Sequence, residues 1–119
     1  MNAPSEALID ASLVDEIRRI ERATGRTDVL SGLIATLESN IVRFPEAFAA
    51  CLAKGDHAGA VRAAHTLKGT CRQLGAQALG ELFAGIEASA KAGRFDAAQD
   101  KYDQGVLLIA QSIEALKRA

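Results

Sequence analysis

The chain has 119 residues, 24% charged and 49% hydrophobic, with a net charge of −1. That is the composition of a single globular domain, and the near-neutral charge excludes a nucleic-acid binder working through bulk positive charge. No apolar run approaches the roughly 20 residues of a membrane span, and no GxGxxG or P-loop marks a nucleotide site.

Only Pro4 and Pro45 interrupt a composition rich in Ala and Leu, and no alternating β-branched stretch suggests a strand. Gly25, Gly55, Gly75 and Gly93 divide the chain into segments of helical length, each placed as a C-terminal stop. The first segment, about Asp10 to Ala23, carries Leu13, Ile17 and Ile20 at helical spacing. The second, about Asp28 to Lys54, has the stripe Leu30, Leu33, Ile34, Leu37, Ile41, Phe44, Phe48 and Leu52, with a kink or interruption expected at Pro45. The third follows Gly55, with Asp56 as N-cap, and its stripe is Val61, Ala64, Leu67, Cys71 and Leu74. The fourth, about Ala76 to Ala92, aligns Leu79, Leu82, Phe83, Ile86 and Ala90. The fifth is read as one helix from Phe95 or Asp96 through Leu116, with Ala98, Tyr102, Val106, Ile109 and Ile113.

Each segment is amphipathic at the helical period, and the short connections force neighbours to pack antiparallel. The expected fold is all-α: an antiparallel four-helix up-down bundle, with the short N-terminal helix packed across it. Residues 1–119 form one domain, with 1–9 as a flexible N-terminus. The opening Met-Asn-Ala-Pro-Ser-Glu has no basic or apolar stretch, so no signal peptide is expected. Cys51 and Cys71 lie among apolar neighbours with no CxxC, and read as buried free thiols. The expected compartment is therefore cytoplasmic.

The chemistry gathers at His65. At about 100° per residue, it points more than about 120° from the centre of its segment's apolar stripe. Arg62, Lys68, Gly69 and Arg72 stand at i−3, i+3, i+4 and i+7, on the same outward sector. Free imidazole, with a pKa of about 6.5, is largely neutral and nucleophilic at pH 7. A phosphoryl group adds about two negative charges, and an ammonium one turn away suits it. Gly69 costs helix stability of about 1 kcal/mol relative to Ala, which access to the imidazole would explain. No Asp or Glu on this segment orients the ring, and no second nucleophile or oxyanion arrangement is visible. Such a site carries a phosphoryl group and does not hydrolyse one. His57 reads as solvated, and a His57/His65 metal site lacks a third ligand. Glu81 and Glu87 read as solvated charge or helix salt bridges.

The run Ala64-His65-Thr66-Leu67-Lys68-Gly69, followed by Leu74-Gly75-Ala76 and Leu79, resembles the signature of histidine-containing phosphotransfer (HPt) domains. The order of features resembles that family across most of the chain, from the short first helix through Gly55-Asp56 to Ile86-Glu87. Arg72 departs from the small residues usual between the Lys-Gly and Gly-Ala pairs. The resemblance implies His65 as phosphoacceptor, Lys68 as charge partner of the phosphoryl group and Gly69 as the opening to the imidazole. Thr66, Arg72, Gln73 and Gln77 become candidate partner contacts. It implies a carrier without hydrolytic or ATP-binding machinery, which takes phosphoryl from a receiver-domain aspartate and passes it to another. The expected partners are response-regulator receivers or a hybrid histidine kinase, with no nucleic acid or membrane, and the chain is expected to be a monomer. No cofactor is expected on this chain, and Mg2+ belongs to the partner receiver. Two alternatives stay open at this point: a non-phosphorylated helical adaptor, and an excised phosphoacceptor domain of a larger kinase. The initiating Met and the length favour a stand-alone protein.

Overall fold

The computed structural model describes residues 8–119. Of the 1–9 segment, residues 1–7 lie outside the described part, while Leu8 and Ile9 are buried. Six α-helices and no strand make up the described residues: α1 Ala11–Thr24, α2 Val29–Ala53, α3 His57–Gln73, α4 Gln77–Lys91, α5 Phe95–Gln104 and α6 Val106–Arg118.

The four glycines expected as stops are the four residues with positive φ among the described residues. Three of them close helices with the same double bond. At the end of α3, Gly75 donates to Arg72 O at 3.2 Å and Ala76 to Cys71 O at 2.8 Å, so two orphan carbonyls find donors. Gly75 does more than turn the chain. A Cβ there would stand 2.7 Å from the Asp10 carbonyl, and the Asp10 N–H donates to Gly75 O at 2.6 Å. The residue that caps α1 is thereby tied to the α3–α4 turn.

The core is formed mainly by α2, α3 and α4, with contributions from α5 and α6. Leu37, Phe48, Leu79, Phe83, Ile86 and Leu116 are fully buried, each contributing about 2 kcal/mol of apolar burial. Phe44 packs its ring against Phe48, Phe83 and Tyr102 with centroids 5.2, 5.4 and 5.6 Å apart. The most extensive helix–helix interface is α3 on α4, where the small residues Ala60, Ala64 and Gly80 are buried and let the backbones approach.

Three sequence expectations are corrected. In α1 the buried positions are Val14 and Glu21, while Leu13 and Ile20 are exposed, so the inward face is rotated from the expected stripe. Glu21 explains the rotation. Its carboxylate accepts the Leu30 N–H at 3.0 Å and pairs with Arg18 at 3.2 Å. It supplies the cap that Asp28, which makes no side-chain cap bond, does not. The expected fifth helix is two helices, interrupted at Gly105, where a Cβ would stand 2.7 Å from Leu82 Cδ2. A side chain there would force the Leu82 methyls to shift, and Val106 just beyond is exposed.

The third concerns Pro45, where the interruption expected as one of two alternatives does not occur. α2 runs unbroken through it. Proline has no N–H, so the carbonyl of Ile41, four residues back, loses its helical donor. The Tyr102 hydroxyl donates to that carbonyl at 2.9 Å, and the Tyr102 ring stacks on Phe44. A side chain from α5 thus supplies the bond that the helix lacks. Tyr102→Phe is therefore expected to cost about 1–2 kcal/mol, and clearly less in a Pro45→Ala background, where the restored N–H takes the carbonyl. Urea unfolding of the four chains measures this. Equal costs in both backgrounds would mean that the hydroxyl and the proline are unrelated.

Candidate functional site

Helix α3 is set by its cap and its stripe. The Asp56 carboxylate accepts the Gly59 N–H at 2.9 Å, as expected for the N-cap. Ala60, Ala64, Leu67 and Cys71 are buried against the core. That register leaves the His65 side chain 62% exposed. Lys68, expected as a free outward cation, is only 20% exposed, because it is already paired.

Its partner is Glu87 of α4, whose side chain is 5% exposed. Glu87 Oε1 meets Lys68 Nζ at 2.6 Å. Oε2 meets His65 Nδ1 at 2.9 Å and Lys91 Nζ at 3.3 Å. A buried carboxylate is strongly disfavoured unless paired, and here three nitrogens from two helices surround it. The Lys68 hydrogen bond is the largest influence on its pKa. Assisted by the bonds from His65 and Lys91, it outweighs burial and holds the carboxyl at about 2, below the ordinary 4.5. Glu87 is therefore ionised at neutral pH and can only accept hydrogen bonds. Nδ1 must carry the proton in that bond. In the neutral ring the lone pair then lies on Nε2, which has no partner among the described residues.

Glu87 is the residue that sequence reasoning missed. Helical periodicity reads it as solvated charge or a helix salt bridge, and the i,i+4 pair with Lys91 does exist. Its burial follows from its place beside the Ile86–Ala90 side of the α4 stripe, where α3 covers it. The signal was present in the numbers. A carboxylate flanking the apolar stripe of one helix faced a Lys and a His at the edge of its neighbour.

Gly69 lies one helical turn past His65, and a Cβ there would meet nothing within 4 Å. The surface above it is open. Thr66 is exposed one residue past His65, and its carbonyl accepts the Thr70 hydroxyl at 3.0 Å. Arg72 is exposed, but its stem crosses to α4, where a Cβ at Gly80 would stand 2.9 Å from Arg72 Cγ. Gln73 and Gln77 are exposed at the α3–α4 turn. Thr66, Arg72, Gln73 and Gln77 make no side-chain hydrogen bond with His65 or Glu87 among the described residues. They share a surface with the cluster without entering it. His57 is exposed and lies 4.7 Å, centroid to centroid, from Phe95. Burial pushes the Cys71 thiol up to about 12, so it stays protonated and inert. Among the described residues, no group of three His, Cys, Asp or Glu side chains could hold a metal ion, and no helix is long and apolar enough to cross a membrane.

The arrangement has one nucleophilic nitrogen, held in one tautomer, on an open helix face. A groove of about 580 Å3 between the start of α1 and the end of α6 includes none of these residues in its lining. Comparison with protein families gives a match to a model described as "Hpt domain" over residues 11–119. Comparisons with curated proteins and with solved structures give no match.

The electrostatics of Glu87 set an acid limit. Its pKa is lower folded than unfolded, so its stabilisation is fully present above about pH 4.5 and is lost as pH falls towards 2. Glu87→Gln is expected to reduce stability at pH 7, with the gap to wild type narrowing steadily from pH 4.5 to 2. Thermal unfolding across that range measures it. A gap independent of pH would mean that the Glu87 pKa is the same folded as unfolded, so that the three nitrogens do not lower it.

Proposed function

The chain belongs to the Hpt-domain family, and with it to phosphorelay signalling; from that membership we propose that it is a phosphoryl carrier with His65 as the acceptor. The single observation that carries the assignment of the residue is the Glu87–His65 bond. It leaves Nε2 as the only exposed nucleophile in the cluster. The donor is the acyl phosphate of a receiver-domain aspartate. Nε2 attacks phosphorus in line, the N–P bond forms, the P–O bond to the aspartate breaks, and the carboxylate leaves with the electron pair. The Nδ1 proton stays where it is, so the ring becomes a cation while the phosphoryl group keeps its two negative charges. Glu87 lies against that developing positive charge, in place before the reaction and without reorganisation. The reverse sequence delivers the group to a second receiver.

Lys68 is one turn from His65 and approaches the phosphoryl group as its charge partner. Gly69 leaves room for a partner's backbone over the imidazole. Thr66, Arg72, Gln73 and Gln77 extend the docking surface towards the α3–α4 turn. The magnesium and most catalytic groups of the transfer belong to the receiver. Nothing in the cluster activates water, which fits a carrier and not a hydrolase. The proposal takes residues 1–119 as one domain, monomeric and cytoplasmic. Its fold is an antiparallel up-down bundle of α2, α3, α4 and the α5–α6 pair, with α1 packed across it. A pure adaptor would have no use for a histidine held in one tautomer by a buried carboxylate.

Two substitutions test the reading. His65→Gln is expected to fold, with a loss of about 1–2 kcal/mol because the Nδ1–H bond to buried Glu87 goes with the ring, and to lose all labelling from phosphorylated receivers. Retained labelling would place the acceptor elsewhere. Gly69→Gln is expected to raise the melting temperature, by up to about 1 kcal/mol of helix propensity, while impairing transfer. A stabilised chain that accepts phosphoryl from every active receiver at the wild-type rate would remove the access role of Gly69.

A further inference from the structure

Lys91 has no assigned part in the transfer. It lies on α4, one turn past Glu87, with a side chain 63% exposed. A lysine in that position is ordinarily a surface ion pair of little consequence. Here its partner is a buried carboxylate, and that changes its weight. Glu87 divides its two oxygens between two cations. Lys68 takes Oε1, while Lys91 shares Oε2 with the His65 ring.

Phosphorylation upsets this division, because about two negative charges arrive at Nε2. Lys68 is the cation on the histidine's own helix, three residues on, with a flexible four-carbon stem. Lys91 is at the wrong end of the ring, beside the oxygen that accepts the hydrogen bond from Nδ1–H. If Lys68 turned to the phosphoryl group with no other cation present, it would leave Glu87 without an ammonium partner. Removing one partner from a buried ion pair is strongly unfavourable.

We propose that Lys91 is a positioning residue for the phosphorylated state: it holds Glu87 while Lys68 exchanges from that carboxylate to the phosphoryl group on His65. The inference rests on His65 as acceptor, and the exchange itself breaks no covalent bond. Before phosphorylation both lysines are on Glu87. Afterwards each has its own anion. Lys91 therefore matters to the phosphorylated state only while Lys68 is present to move.

The test is a double-mutant cycle on the full chain, with Lys68→Met, Lys91→Met, the double variant and Lys91→Arg. Each chain is labelled with phosphoramidate, and the phosphohistidine half-life is followed by 31P NMR. Lys91→Met is expected to shorten the half-life about fivefold, within the coupling typical of contacting charged groups. In the Lys68→Met background the same change is expected to have almost no effect. Lys91→Arg is expected to restore the lifetime. The 15N shifts of the unphosphorylated His65 ring are expected to keep the Nδ1–H tautomer in Lys91→Met, which separates loss of the exchange from misplacement of Glu87. Equal fold-losses in both backgrounds, or no loss with Lys68 present, would overturn the exchange while leaving His65 as acceptor. Label that persists in His65→Gln would overturn the acceptor, and the exchange with it.

Discussion

One buried carboxylate organises the α3–α4 interface and the chemistry upon it. Glu87 is tolerated among Ile86, Ala90 and the small residues of α3 because three nitrogens meet it. Each of those nitrogens is constrained in return. Lys68 is drawn inward from the surface, Lys91 is held along its own helix, and the imidazole is fixed by one edge with the other left bare. The restraint that makes the carboxylate acceptable to the core is also what selects the nitrogen that faces solvent. Stability and reactivity are two consequences of one electrostatic requirement.

The same logic recurs where the backbone itself is short of partners. The first turn of α2 finds its acceptor in Glu21 of α1, and the carbonyl freed by Pro45 finds its donor in Tyr102 of α5. In both cases a polar group that one helix cannot satisfy is satisfied by a neighbour. These ties pin α1 and α5 to the long α2, which in turn packs against the helix that carries His65. Glu21 and Tyr102 sit where backbone hydrogen bonding fails.

What was legible in the sequence was periodic or local. The stops at Gly25, Gly55, Gly75 and Gly93 need only the next few residues, since a positive φ is a property of the turn itself. The Asp56 cap and the inward face of α3 are likewise settled within one helix. So is the outward direction of His65, one residue beyond the buried Ala64. The missed features all join distant segments. Glu87 lies 22 residues from His65, and Tyr102 lies 61 from Ile41. A single helical wheel assigns each charged residue to water by default. It cannot register that a second helix arrives carrying the complementary charge. The rotation of α1 has the same origin, because Glu21 is inside only on account of the α2 N-terminus it caps.

The open, convex setting of Nε2 has a kinetic meaning. A single nitrogen on one helix face offers one landing place, and a receiver that covers it excludes every other. On the reading proposed here, donor and acceptor cannot be bound at once, so transfer between them passes through a free phosphorylated chain in a substituted-carrier cycle. A receiver that docks without exchanging phosphoryl becomes a competitive inhibitor of those that do. The flow through the carrier then depends on the relative abundance of all the receivers that fit the surface around Gly69, whether or not they carry phosphate.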